Sequence, residues 1–137
     1  MMDRLCSGES MAMGSENEAI VREFLALWAI RDADAMVAMF AEDGVYDNVP
    51  EKRPMVGREA IRTWLGMVFD HITRIDVDIL TIASSGEWVL NERIDDHIHG
   101  ETHMPLPVMN ATRIVDGKIV MFRDYYDRVT VKELGMG

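Results

Sequence analysis

Cysteine occurs once in the chain, at Cys6, proline four times, and no apolar run approaches the roughly 20 residues that cross a bilayer. A single thiol closes no internal disulfide, and Cys6 has no metal-ligand spacing around it, so a reducing cytoplasm is the expected location. Residues 1–15 hold no continuous apolar core, and no secretory leader is expected there. Basic residues are also scarce: 14 Lys and Arg against 24 Asp and Glu leave a formal charge of -10. That charge repels a phosphate backbone, and no Lys/Arg cluster offsets it, so neither nucleic acid nor a membrane surface is an expected partner. What remains is the balance of a globular protein, 48% hydrophobic and 28% charged, in 137 residues that fit one domain. The 12 methionines are pliable fillers for an apolar core.

The hydrophobic period is helical first and two-residue later. Ser15 and Glu18 match a capping box ahead of Ile20, Phe24, Leu27 and Trp28, which predicts a helix over about 15–30 after a flexible segment, 1–15. Asp32 is placed to cap a short second helix ending near Glu42-Asp43-Gly44, followed by a strand over Val45 to Val49. Gly57 opens a third helix with Ile61, Leu65, Val68 and Phe69 on its apolar side. From Ile75 onward the pattern is β: strands through Ile82, over Trp88–Ile98, over Pro107–Val115 and over Lys118–Asp127. Ser84-Ser85-Gly86 and His99-Gly100-Glu101 are read as hairpin turns, and Asp116-Gly117 is the strongest turn signal. Helices followed by an antiparallel meander imply an α+β domain, a curved sheet around a pocket that the helices close.

Residues two apart in a strand share a face. Three expected strands carry polar pairs at that spacing: Tyr46 with Asn48, Arg93 with Asp95, and Asp124 with Tyr126. Facing inward they form a polar site in an apolar cavity; facing outward they are ordinary surface residues, and alternation alone leaves both open. Asp47, Asp96 and Asp127 point the opposite way, toward solvent or another subunit. His71, His97, His99 and His103 lack an acidic partner at a recognisable spacing, so no metal is expected. Asn110-Ala111-Thr112 has the form of a glycosylation acceptor but lacks a secretory context.

Tyr46-x-Asn48, then Arg93-x-Asp95, then Arg123-Asp124-Tyr125-Tyr126-Asp127 after a DG turn closely resemble the limonene-1,2-epoxide hydrolase family. The likeness runs from about Glu18 to Asp127 and includes Phe40-Ala41-Glu42-Asp43 and Gly57-Arg58. It implies a catalytic domain over 16–137, of the cone-shaped nuclear transport factor type: a curved mixed sheet with about three N-terminal helices around an apolar pocket. The implied activity is cofactor-free hydrolysis of an apolar epoxide to a vicinal diol, the enzyme acting as a homodimer that pairs through the outer face of the sheet. By this resemblance Asp124 is the base, Tyr46 and Asn48 hold the water, Asp95 is the acid, and Arg93 lies between the two aspartates, which titrate as a coupled pair. Leu25, Trp28, Val68, Phe69, Leu106, Val108 and Tyr126 are the implied pocket lining, with Met104-Pro105-Leu106-Pro107 at its wall or rim. His97, on the face of Arg93 and Asp95, stands where the family usually has an apolar wall. Two other readings stay open: an isomerase or polyketide cyclase of the same fold acting on a carbonyl substrate, and a non-catalytic module that binds a small ligand.

Overall fold

The computed structural model describes residues 2–136, with side chains from residue 12 onward; the Cys6 thiol therefore lies outside the described residues. Helix α1 (Met2–Ile30) is followed by α2 (Ala33–Ala38), β1 (Phe40–Asn48), a 3-10 turn (Val49–Glu51), β2 (Met55–Val56) and α3 (Arg58–His71). Then come β3 (Arg74–Ser85), β4 (Trp88–His99), β5 (Thr102–Val115), β6 (Lys118–Tyr125) and α4 (Arg128–Glu133). One six-stranded sheet has the order β2-β1-β6-β5-β4-β3. Strands β3 to β6 form the antiparallel meander, whereas β1 joins its edge parallel to β6, which makes the sheet mixed. Irregular pairing between Phe40 and Val45, Ile79 and Thr81, and Arg113 and Ile114 bends the strands into an open curved sheet. No helix among the described residues is long and apolar enough to cross a membrane.

The helices close the concave face. Val21, Phe24, Leu25 and Trp28 of α1 and Ile61, Leu65 and Phe69 of α3 recur at helical spacing and are buried. Phe24 is the centre of an aromatic cluster, with ring centroids 5.4 Å from Phe40 and 4.9 Å from Phe122. Arg31 ties the end of α3 down, donating to the carbonyls of Phe69, Ile72 and Thr73 at 2.7–2.8 Å. The Asp116-Gly117 turn has φ of +50° and +75°, the positive pair that its sequence signals.

Several boundaries differ from the sequence expectation. Helix α1 begins at Met2, not Ser15, because Met, Arg, Leu, Glu and Ala in residues 2–14 sustain a helix; Glu18 makes no capping box and accepts a hydrogen bond from Ser84 Oγ. Helix α2, capped by Asp32 as expected, stops at Ala38, since Phe40 pairs with Ile119 of β6 and opens β1. Strand β5 starts at Thr102, not Pro107: it outruns its pairing with β6, which extends only to Met109, so Pro105 and Pro107 occupy a stretch with no partner on that side. Strand β6 ends at Tyr125, and Asp127 turns the chain into α4 by accepting from the Val129 amide at 2.8 Å. Nor does Asp96 simply face solvent: one carboxylate oxygen accepts from His103 Nδ1 at 2.6 Å, while the other is buried without a partner among the described residues.

Gly44 sits where β1 crosses β6. A Cβ there would lie 2.9 Å from the Ile119 carbonyl oxygen and 3.0 Å from that of Ala41, both backbone atoms that cannot rotate away. Its own carbonyl accepts from the Gly57 amide at 2.7 Å, so the same residue anchors the start of α3. Gly44→Ala is expected to destabilise the fold by about 1–3 kcal/mol. The control, Gly66→Ala, lies in α3 with its nearest neighbour at 3.5 Å and is expected to gain about 0.5–1 kcal/mol from helix propensity. Chemical denaturation of both variants tests this, and equal stabilities refute the packing argument.

Candidate active site

Alternation along β4 sends Val89, Asn91, Arg93, Asp95 and His97 to the inner face. On β5 the same rule buries Leu106, Val108, Asn110 and Thr112, and on β6 Phe122 and Asp124. Register then aligns a polar row across four strands: Asn48 on β1 stands opposite Asp124 on β6, Asp124 opposite Asn110 on β5, and Asn110 opposite Asn91 on β4. The three polar pairs read from the sequence thus turn toward a single interior.

Arg93 is the hub. It is 1% exposed, and its guanidinium lies 5.7 Å from the Phe122 ring centroid. Nε donates to Asp95 Oδ1 at 2.7 Å and Nη2 to Asp95 Oδ2 at 3.0 Å, a two-pronged pairing. The same Nη2 donates to Asp124 Oδ2 at 2.8 Å, and Nη1 to Asn91 Oδ1 at 3.2 Å. Asn110 fixes the other oxygen of Asp124, donating from Nδ2 to Oδ1 at 2.7 Å. Asn110 is itself oriented by Asn91 Nδ2 and Thr112 Oγ1, both of which donate to its Oδ1. The Tyr46 hydroxyl donates to Asp124 Oδ2 over a long 3.4 Å, its ring held 4.8 Å from Phe122 and 4.7 Å from Trp64.

Removal from water dominates the electrostatics. Burial raises the Asp124 carboxyl above the ordinary carboxylate value, against the lowering effects of Arg93 and the Asn110 hydrogen bond. Burial and the adjacent Asp124 charge push the Tyr46 phenol well above its usual range, so it remains a donor. The Arg93 guanidinium is held charged by Asp124 and Asp95 although burial alone opposes that charge. Burial and the Glu51 carboxylate likewise raise Tyr126, whose hydroxyl donates to Glu51 Oε2 at 2.8 Å.

A cavity of about 210 Å³ opens onto this cluster. Tyr46, Asn48, Asp95 and Asp124 line it together with Trp28, Val68, His97, Leu106, Val108 and Tyr126. Two expected lining residues are elsewhere. Leu25 and Phe69 point into the helix–sheet core, and Leu25 borders a separate groove beside β3. Trp64, Ile72 and Ile75 take their places, with Val131 and Met136 contributed by the C-terminal segment. Sequence reasoning also missed the supporting amides. Asn91 lies two residues before Arg93 on the same face, and Asn110 and Thr112 form another such pair; Asn110 is 2% exposed, so it is a buried partner of Asp124. Among the described residues no group of three or more His, Cys, Asp or Glu is placed to hold a metal ion.

The chain is 33% identical over 110 residues to the epoxide hydrolase EphG of Mycobacterium tuberculosis, covering 78% of this chain and 70% of that protein. It is similar in structure to an M. tuberculosis LEH-like epoxide hydrolase, with a TM-score of 0.78 and 28% identity over 88% of this chain and 90% of that one. A Catenulispora acidiphila protein of ketosteroid isomerase-like fold, determined in complex with trimethylamine, has a TM-score of 0.76 and 26% identity over 86% of this chain and 93% of its own. Residues 15–134 match the limonene-1,2-epoxide hydrolase catalytic domain, which is nearly the whole chain, and with the curated relative this shows that the chain belongs to the limonene-1,2-epoxide hydrolase family.

Proposed function

We propose that the chain is a cofactor-independent epoxide hydrolase that adds water to an epoxide in one step and yields a vicinal diol. The observation that carries this reading is that one guanidinium nitrogen, Arg93 Nη2, reaches both carboxylates, Asp95 at 3.0 Å and Asp124 at 2.8 Å. An acid and a base are thereby held side by side at the wall of one cavity. Ring opening needs both, because water is a weak nucleophile and an alkoxide a poor leaving group.

In the proposed reaction a water held by Tyr46, Asn48 and Asp124 attacks one oxirane carbon. Asp124 takes a proton from that water as the new C–O bond forms. The strained C–O bond breaks, its electron pair goes to the epoxide oxygen, and Asp95 donates a proton there. The diol leaves with Asp124 protonated and Asp95 ionised, and transfer of one proton from Asp124 to Asp95 restores the starting state. An isomerase or cyclase needs an oxyanion donor opposite one base, whereas the set here is two carboxylates that share one arginine. Turnover of a panel of cyclic and acyclic epoxides in ¹⁸O-labelled water tests the reading: one labelled oxygen per diol supports it, and absence of any diol refutes it.

The opposite face of the sheet carries Leu90, Met109 and Tyr125, each about half exposed, with Met109 and Tyr125 paired in register. A homodimer across that face fits this apolar strip. Sedimentation should give twice the mass of one chain, with a shift toward the monomer in Met109→Lys; a monomeric parent rejects the dimer.

Asp124→Asn and Asp95→Asn should each lower turnover by about 100-fold or more with the fold retained, since each removes one proton transfer. Arg93→Lys keeps the charge but loses the planar fork, and should reduce turnover strongly and displace the pH–rate profile. Parent-like rates in any of these folded variants count against the assignment.

The raised Asp124 carboxyl sets the acid side of that profile. Activity requires its ionised form, so the acid limb of kcat/KM should lie above the roughly 3.9 of a free aspartate. The Asn110 hydrogen bond lowers Asp124, favouring the charged state. Removing it in Asn110→Ala should therefore move the limb to higher pH; a limb that stays put or moves to lower pH contradicts the electrostatic account.

A further inference from the structure

His97 is a polar residue in a largely apolar stretch of the cavity wall. Across the sheet it stands opposite Ile75 on β3 and Met104 on β5, and it lines the cavity together with Ile75 and Leu106. The proposed reaction uses no group there. The ring is nevertheless held in a defined way, with Nδ1 2.9 Å from the backbone oxygen of Asp95. A carbonyl oxygen only accepts, so Nδ1 must carry the hydrogen of that bond. In the neutral imidazole the hydrogen on Nδ1 leaves Nε2 with a lone pair, and among the described residues nothing donates to it.

We propose that His97 is a specificity-determining residue whose Nε2 accepts a hydrogen bond from a hydroxyl group carried by the substrate, which makes the preferred substrate a hydroxylated epoxide. This rests on the epoxide hydrolase reading and narrows its substrate class. His97 is two residues beyond Asp95 on the same face of β4, about 7 Å further along the strand. The hydroxyl therefore sits several bonds from the oxirane that Asp95 protonates, on a part of the molecule where no bond changes. Such a contact is equal in the ground and transition states, so it acts on KM and not on kcat. An apolar wall cannot strongly discriminate a hydroxyl from a hydrogen, whereas an acceptor that the bound substrate covers, and that the wrong substrate leaves unpaired, can.

The test compares three cyclic epoxides of one skeleton: one with a free hydroxyl several bonds from the oxirane, its methyl ether, and the unsubstituted parent hydrocarbon epoxide. With the unmodified enzyme the hydroxyl compound should have a KM about tenfold lower than either analogue at similar kcat. His97→Leu should abolish that preference, bringing the KM ratios near one. His97→Gln supplies a second side chain that can accept, and should retain part of the preference if the leucine variant does not fold. Diol formation from all three compounds with equal KM in the unmodified enzyme overturns the inference while the hydrolase reading stands. A fall in kcat on all three compounds alike in His97→Leu also overturns it, because His97 then acts by supporting Asp95. No diol from any epoxide removes both.

Discussion

A single guanidinium, 1% exposed, sits at the centre of the domain, and the rest of the interior is arranged to make that burial tolerable. An isolated charge taken from water into an apolar core costs several kcal/mol even after the surroundings relax. Arg93 is offset by two carboxylates and one amide oxygen, through four hydrogen bonds from its five N–H groups. Each partner is then constrained in turn. Asp124 is fixed by Asn110, and Asn110 by Asn91 and Thr112, so the charge is held by a connected network and not by one ion pair.

The topology is what allows such a network. Its members come from β1, β4, β5 and β6, and only the parallel insertion of β1 beside β6 places Asn48 opposite Asp124 and Tyr46 opposite Phe122. Beneath the polar row, Phe24, Phe40, Phe122 and Tyr46 pack ring against ring, which limits how far Tyr46 can move relative to Asp124. Gly44 permits the close approach that brings β1 into place. A packing defect in β1 is thus also a misalignment of the site.

Local signals carried much of this into the sequence. The Asp116-Gly117 turn, the Asp32 cap and the 3.6-residue period of α3 each depend on a few neighbouring residues, and each is found where those residues place it. The features that escaped depend on residues distant in the chain. Residues 40–44 read as the end of a helix until β6, nearly 80 positions later, supplies a strand to pair with. Leu25 and Phe69 are apolar residues whose assignment to core or cavity is decided by helix rotation, which spacing does not determine. Asn91, Asn110 and Thr112 are uncharged and ordinary in composition; only their same-face alternation with Arg93 and Asp124 marks them, and that mark acquires meaning once the inward face is known.

The network also bears on how the proposed chemistry proceeds. In the proposed starting state Arg93 faces one ionised and one protonated aspartate and the cluster is neutral overall, which suits buried surroundings that disfavour net charge. In the proposed cycle Asp124 gains a proton in the same step in which Asp95 loses one. The cluster therefore begins and ends ring opening with the same total charge, and only the position of the ionised carboxylate changes. That position moves between two groups hydrogen-bonded to one nitrogen, Arg93 Nη2, so the compensating cation is already in contact with the carboxylate that becomes charged. Little reorganisation of the surroundings is then required as the reaction advances, the condition under which fixed dipoles and charges are most effective. A site with a base alone would leave the developing negative charge on the epoxide oxygen, with no proton to neutralise it. The bridging arginine ties the two carboxylates into one electrostatic unit.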